Sequence, residues 1–187
     1  MRISAGEHRG RRLRGVRGTT TRPTSERMRQ ALFNILGERI RGARALDLFA
    51  GTGAVGLEAL SRGASGATFV EIDRRAVASL RSNLAGLHLG EPARIVADDV
   101  FRALDRLEAD GEQFAWVFVD PPYAGDLAAR CIEALARGRL LSENAVVIVQ
   151  TFHKTVLPER TGVLQQRWRR RYGESCLTLY AKETTCG

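Results

Sequence analysis

The sequence predicts an α/β fold: an open, mostly parallel sheet of seven strands, closed by an antiparallel hairpin and preceded by a short basic extension. Three observations carry this expectation. From residue 43 onward, short apolar runs alternate with stretches of helical periodicity, the pattern of βαβ units. One of those runs leads directly into a glycine turn and a helix. The last two strand-like runs are separated by three residues, too few for the long crossover that parallel strands need.

Taken in order, residues 1–22 are rich in Gly, Arg and Thr, with a weak alternation around Leu13 and Val16. They read as an extended arm or small hairpin, followed by one main domain over 23–187. Pro23 ends the arm, and Thr24 or Ser25 is a suitable N-cap for the next helix. There Met28, Ala31, Leu32, Ile35 and Leu36 form one apolar face at helical spacing, and Gly42 closes the segment. Arg27, Gln30, Asn34 and Glu38 fall elsewhere on the wheel. The predicted strands are 45–49, 67–71, 93–96, 115–119 and 145–150, with helices at 54–62, 74–87, 100–109 and 126–137. Runs 163–171 and 175–182 form the closing hairpin around Tyr172-Gly173-Glu174.

Composition narrows the class. The chain has 187 residues, 44% hydrophobic and 27% charged, as an ordinary globular domain does. No apolar run reaches the roughly 18–20 residues of a membrane span, and the arginine-bearing N-terminus has no apolar h-region. Cys131, Cys176 and Cys186 are widely spaced, and His8, His88 and His153 stand alone. No metal clip or redox pair is therefore expected, and the setting reads as cytoplasmic. The net charge of +8 is local: residues 1–44 hold 12 arginines and three glutamates, while the remainder is close to neutral. Such a block suits a polyanion, because phosphate neutralisation supplies most non-specific affinity. Its plainer reading is a solvated charged tail.

The segment Leu46-Asp47-Leu48-Phe49-Ala50-Gly51-Thr52-Gly53-Ala54-Val55-Gly56 is a buried strand, a glycine turn and a helix start. Gly51, Gly53 and Gly56 form a GxGxxG, which lets a backbone turn tightly beside a nucleotide-like ligand. A dinucleotide with its pyrophosphate on the helix N-terminus is one reading. Asp47 opposes it. A carboxylate there repels a pyrophosphate but suits S-adenosylmethionine, which carries an ammonium and a sulfonium and no phosphate. Alternatively Asp47 only bonds loop amides. Glu71, 20 residues after Gly51, can accept both ribose hydroxyls of either ligand. Asp98 or Asp99 can receive the adenine amine, with Val100 against the ring, although Asp99 also suits a helix N-cap. Phe49, Thr52 and Ile72 complete the candidate cofactor contacts.

The strand 115–119 runs into Asp120-Pro121-Pro122-Tyr123. Two prolines fix the backbone and remove two donors, leaving the Asp120 carboxylate and the Pro121 carbonyl as acceptors. Acceptors placed so can take both N–H bonds of an exocyclic amine and aim its lone pair at an electrophilic methyl. Tyr123 offers a face on which a base stacks, worth about 1–3 kcal/mol. The plainer reading is a strand-ending turn.

These residues resemble the RsmD-type family of bacterial 16S rRNA guanine-N2 methyltransferases, within the Rossmann-like class I methyltransferases. The likeness covers nearly the whole chain: Met1-Arg2-Ile3 through Gly10-Arg11, Arg22-Pro23-Thr24 followed by Arg27, Met28, Arg29, Ala31, Leu32, Phe33 and Asn34, the run from Asp47 to Ala64, and Tyr172-Gly173 followed by Leu177, Leu179 and Tyr180. The opening helix and the long loop are its specific parts, since the Asp-Pro-Pro-Tyr turn is shared with many amino methyltransferases. The resemblance implies methylation of a loop guanine in 16S rRNA at N2, on a partly assembled small subunit, by a monomer. It implies Asp120 and Tyr123 as catalytic and Asp47, Gly51, Gly53, Glu71 and Asp99 as cofactor contacts. Where the family often has Gly-Asp-Ala or Asn-Ala, this chain has Asp98-Asp99-Val100. The arm suggests phosphate contacts at Arg9, Arg11, Arg12, Arg14 and Arg22. Three rivals stand beside this reading: the same chemistry on adenine N6 or a protein glutamine, a nicotinamide oxidoreductase, and a non-catalytic RNA-binding assembly factor.

Overall fold

Three parallel strands organise the first of two units, residues 1–100, in a computed structural model that describes residues 1–16, 26–122 and 125–183. They are β1 (Arg44–Leu48), β2 (Gly66–Val70) and β3 (Ala93–Val96), with β2 in the middle. Leu48 pairs with Val70 and Val70 with Val96, so all three strands stop at one level. The segments leaving them (residues 49–51, 71–72 and 97–99) therefore lie along one carboxyl edge, where ligands bind in open parallel sheets. The helices are α1 (Glu26–Leu36), α2 (Ala54–Ser61) and α3 (Arg74–Leu87). Every residue of α2 is buried, as expected of a helix without a polar face. α3 starts at Asp73, whose side chain accepts the Arg75 amide, and ends at His88 in the left-handed region.

The second unit, residues 101–187, opens in α4 (Val100–Ala109) and continues through β4 (Phe114–Val119), α5 (Leu127–Arg137) and β5 (Leu141–Phe152). β4 runs parallel to β5, and both read as near-continuous apolar runs because both faces are covered. β8 (Ser175–Lys182) then pairs antiparallel with β5 and with β7 (Leu164–Tyr172), around a turn with Gly173 at φ 62°. Alternating helices and parallel strands followed by antiparallel C-terminal strands is the expected fold class. The two-residue β6 (Arg160–Thr161), paired with the start of β7, makes eight strands among the described residues, one more than the sequence predicts. No helix among the described residues is long and apolar enough to cross a membrane.

Several boundaries differ from expectation. The first helix stops at Leu36 because Gly37 takes φ 51°, and a 3-10 turn, Gly37–Ile40, carries the chain on. Phe49 leaves the strand, with φ 64°, and Glu71 follows β2 rather than ending it. β5 begins four residues earlier than predicted and runs two further, to Phe152. The N-cap expected at Thr24 or Ser25 lies outside the described residues.

Residues 1–13 form a small hairpin. An isolated antiparallel bridge joins Arg2 to Arg12, the Ile3 and Leu13 amides donate to the Arg11 and Met1 carbonyls, and both apolar side chains are buried. The hairpin is fastened to α1 and α2 by a buried ionic cluster. Glu58 on α2 and Arg29 on α1 are both fully buried, with Nε to Oε2 at 2.5 Å. Arg62 Nη2 reaches Glu58 Oε1 at 2.7 Å, and the Ser4 hydroxyl donates to the same oxygen. Arg29 Nη2 donates to the Arg2 carbonyl at 2.5 Å. Burial alone would raise the Glu58 pKa. Hydrogen bonds from Ser4, Arg62 and Arg29, with the Arg29 charge, hold it below the ordinary carboxylate value.

A carboxyl with a depressed folded-state pKa stabilises the fold fully above its unfolded value, and the contribution disappears as the pH falls through the folded one. Stability should therefore begin to drop below about pH 4.5. Glu58→Ala strands the Arg29 charge in the interior and should cost about 3–5 kcal/mol. Urea unfolding of wild type and variant across pH 3–7 checks both, and part of the acid-dependent loss should vanish in the variant.

Candidate functional site

The glycine loop after β1 is held by carboxylates on its own backbone donors. Gly51 N–H donates to Glu71 Oε2 at 2.7 Å, and Gly56 N–H donates to Asp47 Oδ2 at 3.0 Å. Gly53 N–H closes a turn onto the Ala50 carbonyl at 2.8 Å. A third tether comes from α3, where the buried Asn83 donates through Nδ2 to the Thr52 carbonyl at 3.0 Å. The same side chain accepts the Arg14 amide at 2.7 Å and donates to the Arg14 carbonyl, so loop and hairpin share one anchor. Glu71 also accepts the Asp73 amide through Oε1 at 2.8 Å. Asp47 is 2% exposed, so the loop-bonding role foreseen as its plainer reading is the one observed.

The three glycines serve different ends. Gly51 is left-handed at φ 56°, and a Cβ built there meets nothing within 4 Å. Gly53 is left-handed at φ 85°, and its Cβ would lie 2.3 Å from Leu80 Cδ1. At Gly56 a Cβ would strike the Phe69 ring at 2.3 Å, so α2 can rest on β2 only without a side chain there. Of the three, Gly51 leaves the open space that close ligand approach would need, while Gly53 and Gly56 answer to packing.

The same edge carries the other candidate contacts. Ile72 is 68% exposed directly after Glu71, an apolar side chain held at the surface where a flat ring could cover it. Asp98 and Asp99 are half-buried, with the Asp99 amide donating to Asp98 Oδ1 at 2.7 Å. Val100 is buried, whereas Ile72 is a large hydrophobic left exposed at this edge. Phe49 and Thr52 are half-buried. Gly51, Thr52, Glu71, Ile72, Asp98 and Asp99 fit a ribose and an adenine. A carboxylate with roughly four acceptor sites can bond hydroxyls beside the amides it already holds.

In the second unit, Asp120 follows β4 and is half-buried, Pro121 is buried and Pro122 exposed. Tyr123 lies outside the described residues. A shallow recess, with room for about one water molecule, is lined by Pro121, Pro122, Gln150 and Thr151 with four neighbours. Gln150 is 5% exposed and Thr151 3%. Gln150 Oε1 and Thr151 Oγ1 are buried without a hydrogen-bond partner among the described residues. Periodicity hides both, because they read as the polar end of an apolar strand.

Of the arm arginines, Arg11 donates to the Gly86 carbonyl at 2.6 Å and Arg14 to Ser82 Oγ at 2.9 Å. Arg9 and Arg12 are exposed with no side-chain partner among the described residues. Arg22 lies outside them. A second basic stretch escapes a charge balance taken over residues 45–187: Arg167, Arg169, Arg170 and Arg171 on β7 are all exposed. A count over β7 alone, four arginines and no acid, reveals it.

Known proteins match this chain over most of their length. The family model described as Conserved hypothetical protein 95 matches residues 1–181. Ribosomal RNA small subunit methyltransferase D of Escherichia coli K12 is 38% identical over 183 residues, 98% of this chain and 90% of that protein. Its namesake in Haemophilus influenzae is 37% identical, covering 89% and 88%. Among solved structures, a hypothetical protein of Thermus thermophilus superposes with a TM-score of 0.81 at 39% identity, over 96% of this chain and 98% of that one.

The glycine assignment is testable. Gly56→Ala should overpack α2 on Phe69 and lower stability by about 1–3 kcal/mol. Gly51→Ala meets no atoms, so its cost is limited to the left-handed backbone, about 1 kcal/mol. Thermal unfolding of the two variants should rank them in that order.

Proposed function

This chain belongs to the Conserved hypothetical protein 95 family, and from that premise we propose that it transfers a methyl group from S-adenosylmethionine to the N2 amine of a guanine in 16S ribosomal RNA. One observation carries the cofactor half of this reading. The Gly51, Gly53 and Gly56 amides already donate to Glu71, Ala50 and Asp47. A pyrophosphate needs such amides free, so the dinucleotide reading loses its donors, whereas a cation beside Asp47 and Glu71 is favoured. The relatives named small subunit methyltransferase D support the substrate half.

S-adenosylmethionine, when bound, supplies a methyl on a sulfonium. Glu71 accepts from its ribose, Ile72 covers its adenine, and Asp98 or Asp99 receives the adenine amine. Asp47 keeps the loop in shape through Gly56 and adds negative potential. The Asp120 carboxylate and the Pro121 carbonyl accept the N–H bonds of the guanine amine, free its lone pair from the ring, and Asp120 takes the proton the nitrogen sheds. Tyr123 stacks on the base. Arg9 and Arg12, with the arm arginines tied to α3, hold RNA phosphates, and the substrate is a partly assembled small subunit in the cytoplasm, met by a monomer.

Radiolabelled methyl transfer to naked 16S rRNA and to small-subunit particles, followed by nucleoside analysis, tests the reaction. N2-methylguanosine is expected, more from particles than from naked RNA. Asp120→Ala should abolish transfer and leave RNA affinity intact; transfer at a near-normal rate would remove the mechanism. Arg9→Gln with Arg12→Gln should weaken RNA binding and flatten its salt dependence by about one log–log slope unit per lost phosphate contact.

A further inference from the structure

We infer that the outer end of β7 is a second RNA surface, which grips the unpaired strand beside the methylated base. The inference rests on the proposed reaction and extends it to the nucleotides around its substrate. It starts from charge. Arg167, Arg169, Arg170 and Arg171 are exposed, and β7 holds no acid. Glu174 lies 3.7 Å from Arg171 and engages that one arginine. Arg169 is held by neutral groups, the carbonyls of His153 and Thr155 at 2.8 and 2.7 Å, which leave its charge without a counter-ion in contact. Lys154, between those two residues in sequence, is exposed as well. Arg167 and Arg170 have no hydrogen-bond or ion-pair partner for their side chains among the described residues.

Register puts this charge at the level of the Asp-Pro-Pro turn. β7 runs in the direction of β4, because β4 and β5 are parallel and the two antiparallel pairings that follow cancel. Val119 pairs with Val149, Val149 with Thr178, and Thr178 with Arg169. Arg169 is therefore level with the last residue of β4, and Arg170 lies one row further, level with Asp120. Three strand spacings separate β7 from β4, about 14 Å. An enzyme that holds one base also meets the nucleotides flanking it, so β7 is placed for the neighbouring phosphates rather than for the base itself. β6 covers only the start of β7, at Leu164 and Gln165. Among the described residues, 167–172 thus form an outer edge.

Aromatic rings are interleaved with these arginines. Alternate strand residues share a face, and Trp168, Arg170 and Tyr172 pair with Leu179, Leu177 and Ser175 on one face of β8. Trp168 and Tyr172 are half-buried, so neither is sealed in the core. Rings on either side of a cation are the elements of a single-strand site, where arginines track the phosphates and unpaired bases stack on the rings. A duplex keeps its bases stacked on one another and offers phosphates alone. The competing account is an edge blunted by charge against self-association. It explains arginines on an outer edge but not the rings, and it predicts aggregation rather than lost RNA affinity when the charge is removed.

The experiment uses the full chain, a labelled oligouridylate, a blunt RNA duplex of the same length, and small-subunit particles lacking the methyl group. Arg167→Gln with Arg170→Gln should weaken oligouridylate binding about tenfold and lower the log–log salt slope by about 0.7 for each arginine. On particles KM should rise by a similar factor while kcat holds, because contacts away from the reacting atoms bind ground state and transition state alike. S-adenosylmethionine affinity by calorimetry and the melting temperature should hold in this variant. Tyr172→Leu should weaken the single strand about fivefold or more with no change of slope, and spare the duplex; Tyr172→Phe should bind as wild type does. Unchanged affinity and slope in the arginine variant, with or without aggregation by light scattering, would overturn the surface. Tyr172→Leu that treats single strand and duplex alike would overturn it too. If particles yield no N2-methylguanosine with wild type while the binding losses appear, the fault lies in the reading of the reaction and the RNA surface stands.

Discussion

The glycine loop after β1 works only because side-chain carboxylates satisfy its backbone. A turn that reverses direction between a strand and a helix leaves amides pointing into space, and each unmet buried donor costs about 1–3 kcal/mol. Glu71 and Asp47 meet the Gly51 and Gly56 amides from the neighbouring strand end and from β1 itself, and Asn83 fixes the Thr52 carbonyl. The loop is thus shaped before any ligand arrives, and the chemistry that shapes it also decides which ligand is welcome. Two acids where a phosphate loop would keep bare N–H groups turn an anion site into a cation site. Carboxyl-edge placement follows from strand register, since β1, β2 and β3 end level at Leu48, Val70 and Val96.

The N-terminal hairpin is part of this arrangement. Glu58, Arg29, Arg62 and Ser4 fasten it to α1 and α2, and Asn83 ties Arg14 to the glycine loop. A buried ion pair is weak evidence of net stability, because desolvation offsets much of its attraction. Its geometric demand is strict, however, and here it fixes where an arginine-bearing hairpin sits relative to α2. The segment whose charges suit RNA phosphates is held to the same helices that frame the loop.

Much of this was legible in the sequence, for reasons that also explain the gaps. Strand and helix periodicity placed α3 to the residue, because its apolar positions recur cleanly and Asp73 and His88 mark its ends. The glycine pattern located the loop, and the acids at 47 and 71 stood out for their positions. Arg29 did not: helical spacing reports which face is apolar, and it puts an arginine outside unless its counter-ion is known, here a residue 29 positions away. Gly56 looked like a ligand glycine because a motif records spacing and not the Phe69 ring that excludes its side chain. Hydropathy carries β1 through Phe49 because it is blind to a positive φ. Gln150 and Thr151 passed as strand residues, since unpaired atoms are a property of three-dimensional neighbours.

Charge placement within the first unit joins these threads. Residues 1–100 hold 17 basic and 10 acidic side chains, yet Asp47, Glu71, Asp98 and Asp99 sit on or just beyond the carboxyl ends of β1, β2 and β3, and six of the arginines lie in residues 1–17. An evenly mixed surface of the same net charge would serve neither of two ligands of opposite sign. Screening at physiological salt reduces interactions beyond about 8 Å, so two fields of opposite sign survive side by side only if each is compact. Arg9 and Arg12 are exposed, as the proposed long-range attraction of RNA requires. The acids are half-buried or sealed, and a lower local dielectric strengthens their pull on a small cation that reaches the loop. Burial, more than charge count, separates the two charged regions.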